Sequence, residues 1–332
     1  MKTRVSLTPP IVLIIACVGL TLAILASVLL GGKITTLRDA IDAFNGVSNP
    51  HITGVFDARI NRTIMGVLCG SALAVSGLII QGITRNPLGD PGLLGISSGA
   101  AAAVVTAAAV TGSSIGTHSI WVALVGAGLT AVVVYAVSAR TGTASIITLL
   151  LTGAVISAIL SAYIQAIILT KPAVFNSFRF WVIGSLGGRD TDITVAIAPI
   201  IAAAFVLAAL LATSLNNISL GDDVAAALGT RVTLVRALAL AAAASLAAAA
   251  TAAVGPIAFV GLVVPHLAKS FIRWDHRWLL PITAILGATL LLLADTVGRV
   301  IARPEEIGTG IMTAFIGAPF LLYAVNRGWA TR

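Results

Sequence analysis

Long apolar runs alternate with short polar breaks along almost the whole chain. A helix needs about 20 apolar residues to cross a bilayer. By that measure the pattern predicts helices over 11–30, 61–82, 93–111, 119–139, 146–169, 192–213, 234–253, 256–270, 278–297 and 308–326. The eighth is short and is broken by Gly255-Pro256 and Pro265. The first follows Lys2 and Arg4. It is longer than a signal-peptide core and reads as a membrane helix. Ten spans use roughly 200 positions, which leaves only short loops. The expectation is an all-α polytopic membrane protein, one transmembrane domain over 1–332, with about ten spans and both termini on one side.

Composition agrees with the pattern. Of 332 residues, 58% are hydrophobic and only 10% charged. A soluble domain carries about 25% charged residues, so a cytosolic enzyme is a poor reading. The formal charge is +8, but the basic residues are scattered and form no patch for nucleic acid. With a cytoplasmic N-terminus, eleven Lys and Arg fall inside and nine outside. That is a weak positive-inside bias, and it leaves several outer arginines in need of a reason. Small residues abound, and 237–253 is nearly all alanine. Such a helix suits a dense bundle better than a lipid-facing position. Cys17 and Cys69 lie in apolar stretches and read as two small buried thiols.

Four stretches depart from generic membrane helix. The first is Arg59-Ile60-Asn61-Arg62, running into Gly66, Gly70, Ser76-Gly77 and Gln81. The second runs from Arg85-Asn86-Pro87-Leu88-Gly89-Asp90-Pro91 to Gly95. Its prolines fix φ, and Asn86 and Asp90 can satisfy local backbone groups. This tight turn is either a gate at a bundle mouth or a rigid corner. The third is Leu220-Gly221-Asp222-Asp223 through Ala226, Leu228 and Gly229, a short helix in the loop at about 214–233. Its acids sit in the first turn, where the helix dipole favours them. Its apolar face of Val224, Ala227 and Leu228 must bury against the bundle or a docked protein. The fourth is Gly255-Pro256 through Pro265-His266, followed by Asp295, Arg299 and Gly317-Ala318-Pro319.

Single polar residues have competing readings. Asp295 is costly in an apolar run, and Arg299 stands one turn away to pair with it. Gln81 and Gln165 either line a pathway or bond neighbouring helices. His51, His118, His266 and His276 have no ligand spacing, so no metal site is expected. No G-x-x-x-x-G-K-[ST] occurs, so ATP is not bound here in the P-loop manner. No catalytic constellation argues for an enzyme. The remaining rival is a secondary transporter.

Together the four stretches resemble the permease subunits of bacterial iron-siderophore and cobalamin ABC importers, the FecCD family, over roughly 11–326. Asp57-Ala58-Arg59, Phe180-Trp181 and Asp275-His276-Arg277-Trp278 look most like the ferric-enterobactin-type members. The resemblance implies a type II ABC importer permease fold in the bacterial cytoplasmic membrane, with cytoplasmic termini. It implies docking of an extracytoplasmic substrate-binding protein on Arg59, Arg62 and Arg299. Two cytoplasmic ATP-binding subunits would couple through Leu220–Gly229, with ATP bound only by those partners. Asn86, Pro87 and Leu88 become the cytoplasmic gate. A second permease chain, identical or paralogous, would complete a pathway for a ferric siderophore, with haem or cobalamin as alternatives. Gly308 and Lys269 depart from the family, which often has Pro and Arg at those positions.

Overall fold

Among the described residues every regular element is helical. The computed structural model describes residues 8–45, 50–112, 119–140, 146–272 and 275–326. Lys2, Arg4 and His118 lie outside them. Ten helices occupy the ten expected spans. They are α1 (Pro9–Leu29), α3 (Pro50–Thr84), α4 (Ile96–Thr111), α5 (Ser119–Arg140), α6 (Ile146–Thr170), α8 (Thr191–Ser219), α10 (Val232–Val254), α11 (Val260–Phe271), α12 (His276–Ile301) and α13 (Thr309–Asn326). Three short helices lie between them: α2 (Leu37–Phe44), α7 (Pro172–Val182) and α9 (Asp222–Ala227). Seven of the ten are long and apolar enough to cross a membrane, and α4, α11 and α13 are shorter apolar helices.

The 35-residue α3 is the largest departure from the sequence reading, beginning eleven residues before the expected 61. At 1.5 Å per residue it is about 52 Å long, more than a bilayer core requires. It packs against α8, α10, α11 and α12, and its second half is almost wholly buried. Small residues permit these crossings. A Cβ on Gly70 would lie 2.6 Å from Gly287 O, and one on Gly77 only 1.9 Å from Gly261 O. Ser76 Oγ adds a hydrogen bond to Ala243 O at 2.6 Å. The alanine-rich α10 sits inside, as expected, with Ala243, Ala249 and Ala250 fully buried.

The outer helices behave as lipid-facing surfaces. Leu22 of α1, Val132 of α5, Leu151 of α6 and Leu210 of α8 are all more than half exposed. Cys17 is likewise exposed, which corrects the expectation of two buried thiols; Cys69 is buried. The expected break before α11 falls at 255–259, where Gly255 has φ 80 and Phe259 φ 69. Pro265 lies inside α11 without ending it.

Candidate functional site

Functional features gather at the two ends of α3. Arg59 and Arg62 lie in its first half, and Arg85 directly follows its last residue. Twenty-three residues of helix separate Arg62 from Arg85, or about 35 Å.

At the first end, α1 terminates without a basic residue in its last turn. Its final carbonyls need donors from elsewhere. Arg59 supplies them: Nη1 donates to Val28 O and Leu29 O, both at 3.1 Å, and Nη2 to Lys33 O at 2.7 Å. Arg299 Nη2 donates to Ser27 Oγ at 3.1 Å, and Arg303 Nε to Gly31 O at 2.9 Å. Cations at a helix C-terminus also oppose its partial negative charge.

Asp295 joins this cluster from α12. It is fully buried. Arg62 Nε donates to Asp295 Oδ2 at 2.9 Å and Nη2 to Oδ1 at 2.8 Å. Thr309 Oγ1, from the start of α13, donates to Oδ1 at 2.8 Å. The expected Asp295–Arg299 pair is present, with Nε 3.0 Å from Oδ2, although it is too bent for a hydrogen bond. Arg62 Nη1 turns outward to Glu306 Oε2 at 2.7 Å. A cleft of about 400 Å³ opens here, lined among others by Lys33, Arg62, Arg189 and Glu306. Arg189 lies in the loop before α8, where burial lowers its guanidinium below the ordinary value.

The three arginines therefore converge, but they do not form an exposed rim. Arg59 is 5% exposed and Arg299 2%. Arg59 is occupied by backbone carbonyls and the Thr35 hydroxyl, and Arg299 by Ser27 and Asp295. Arg62 also pairs with Glu306, whose side chain is 44% exposed, and all three arginines line the cleft. Sequence reasoning missed Glu306 and Thr309. Its only available signal was the run of polar residues just before the last apolar span.

At the second end, the turn after α3 is built as its residue types require. Asn86 Oδ1 accepts from Leu88 N at 2.9 Å, and Asp90 Oδ1 from Gly92 N at 2.7 Å. Burial raises the Asp90 carboxyl above its ordinary value, against the pull of that bond. Leu88 is 38% exposed. Gln81, one turn back, is fully inside. Its Nε2 donates to Leu262 O at 3.2 Å, and its Oε1 accepts from Lys269 Nζ at 2.8 Å. It bonds α3 to α11, one of the two readings its sequence position left open. Gln165 is exposed on α6.

The short α9 lies beside this turn. Ala225 is its buried residue, while Leu220, Val224 and Leu228 stand 64%, 46% and 58% exposed. Val224 and Leu228, one turn apart, share one apolar face, while Leu220 caps the end of α8 and is separated from α9 by Gly221 with φ 117. The bundle leaves this face uncovered. Asp222 pairs with Arg85 and with Arg236, the latter at 2.9 Å. Nearby, Asp275 caps α12 and accepts from Asn216 Nδ2 at 2.9 Å. Burial opposes its charge, but this bond and the Arg277 backbone hold it below the usual carboxylate range.

Among the described residues, no cluster of three or more His, Cys, Asp or Glu side chains could hold a metal ion. A match to the FecCD transport family covers residues 19–327. The chain belongs to that family. It is 40% identical over 311 residues to the ferric enterobactin transport system permease protein of Escherichia coli, covering 93% of this chain and 92% of that one. It is 36% identical over 275 residues to the hemin transport system permease protein of Yersinia pestis, covering 81% and 82%. Among solved structures, an inward-facing metal-chelate type ABC transporter superposes with a TM-score of 0.83 at 28% identity, over 96% of this chain and 99% of that one. A FecCD chain is an integral membrane transport subunit rather than an enzyme.

Proposed function

We propose that this chain is the permease of an ATP-binding cassette importer that carries a chelated iron compound, of the ferric siderophore class, across the bacterial cytoplasmic membrane. The observation that carries the reading is the apolar face of Val224 and Leu228 at α9, with Leu220 just before it, left uncovered by its own bundle. Two cytoplasmic ATPase subunits take up such faces, one on each permease chain. The α9 end then faces the cytoplasm, as do both termini, and the turn at Asn86, Pro87 and Leu88 closes the inner mouth. The opposite end, with Arg62 and Glu306 at the cleft, receives an extracytoplasmic binding protein. Docking there works by exchange: an acid on the partner replaces Glu306 on Arg62, while Arg59 and Arg299 hold the frame. A second permease chain covers the exposed face of α13, where Phe315 is 72% exposed. An apolar groove of about 640 Å³ runs beside it, between Val182, Pro256 and Pro319.

The cargo class rests on the named transport of the relatives and on the chain's own chemistry. A cargo that arrives already chelated needs no metal ligands from the pathway. The direct test is the double variant Val224→Asp with Leu228→Asp. It should insert normally, because no spanning helix is touched, and should fail to co-purify the ATPase subunits. Co-purification at the unsubstituted level would overturn the coupling assignment.

A further inference from the structure

The turn after α3 and the short α9 are joined by the side chain of Arg85, the first residue of that turn. Arg85 immediately precedes Asn86, and its φ is 48. That is the left-handed region, which residues with a Cβ rarely adopt. Such a conformation persists only where its surroundings over-determine it. Here the surroundings are ionic. Arg85 Nη2 donates to Asp222 Oδ1 at the first residue of α9. Arg236, on the long α10, holds the same carboxylate: Nη1 lies 2.9 Å from Oδ2, and Nη2 donates to Oδ1 at 2.9 Å. One exposed ion pair is a weak tie. A carboxylate gripped by a bidentate arginine on one side and a second arginine on the other is a directional one.

We propose that Arg85 is a positioning residue that carries movement of α9 into the Asn86–Leu88 turn. The inference rests on the coupling and gate readings above. When α9 shifts, Asp222 shifts with it, and Arg85 is either dragged or released. Either event frees the backbone of Arg85 from its left-handed conformation. The next residue holds the turn closed through Asn86 Oδ1 and Leu88 N, so rotation at Arg85 re-aims Leu88. Asp222 thus has a second task beside opening α9, and Arg236 sets the rest position against α10.

The test follows the gate rather than the cargo. In a Cys17→Ser background, Leu88→Cys is reacted with a membrane-impermeant maleimide from the α9 side, with the ATPase subunits bound. ATP should change the labelling rate by about fivefold or more, the range of ordinary coupling between sites. Arg85→Gln should abolish that change while the ATPase subunits still co-purify and hydrolyse ATP. Arg85→Lys, which keeps the charge, should restore part of it. Asp222→Asn combined with Arg85→Gln should be no worse than Asp222→Asn alone, because that single variant already cuts the Arg85 link. An unaltered ATP response in Arg85→Gln would overturn the proposal, as would independent, multiplying effects in the double variant. Absence of any ATP response in the Leu88→Cys background would overturn the gate reading, and the proposal with it. Loss of the ATPase subunits from the Val224→Asp and Leu228→Asp variant alone would leave the coupling reading standing in either case.

Discussion

Asp295 has no exposed surface, yet it meets two guanidinium groups and a hydroxyl. Removing one partner of a buried ion pair leaves an uncompensated charge and costs about 3–5 kcal/mol. Asp295→Ala should therefore sharply lower the thermal midpoint of the detergent-solubilised protein. Glu306→Gln touches a pair whose acid is 44% exposed, and should cost about 1 kcal/mol or less. Equal losses in the two variants would contradict this division. The pairing of Asp295 with Arg299 was legible in the sequence, because i and i+4 meet on a helix. The burial of Arg59 was not. Its partners are three carbonyls and the Thr35 hydroxyl around the end of α1, 24 to 31 residues earlier, and only the fold brings them near. Topological bias pointed to outer arginines with a purpose, and the immediate purpose is helix capping.

At the scale of elements, apolar run length located ten helices, because hydrophobic thickness sets span length. It could not give the full extent of α3, whose first turns are polar enough to end an apolar run. Nor could it decide which helix lies at the centre. That depends on close crossings, and these make a prediction. Gly77→Leu should abolish recovery of folded protein, since even a Cβ meets Gly261 O at 1.9 Å. Gly19→Leu on α1, where a Cβ finds nothing within 4 Å, should be tolerated. Size-exclusion profiles of the two variants check this, and matching profiles would sink the crossing argument. The turn between α3 and α4 was readable from residue types alone, because Asx turns and proline act locally. Replacing Asn86 and Leu88 together with Gly should raise leak of cargo through reconstituted vesicles without ATP. Unchanged leak would leave the turn a structural corner.

Across the whole molecule, the chain has chemistry at its two ends and a tightly packed shaft between them. One end holds a cluster of arginines and acids at a cleft, and the other an uncovered apolar face beside a braced turn. The short helix at α9 was visible early, because its acidic first turn and apolar residues are local features. Which arginines remain available to a partner was not, because that depends on how α1, α12 and α13 meet. The central claim is that transport is driven by ATP hydrolysed on separate subunits. The most direct test reconstitutes the permease with its ATPase subunits and binding protein in proteoliposomes, using ferric enterobactin and ferric citrate as cargo probes. Uptake of at least one probe should require ATP, vanish when the ATPase subunits are omitted, and survive an uncoupler. Uptake that persists without the ATPase subunits and collapses with the uncoupler would contradict the account.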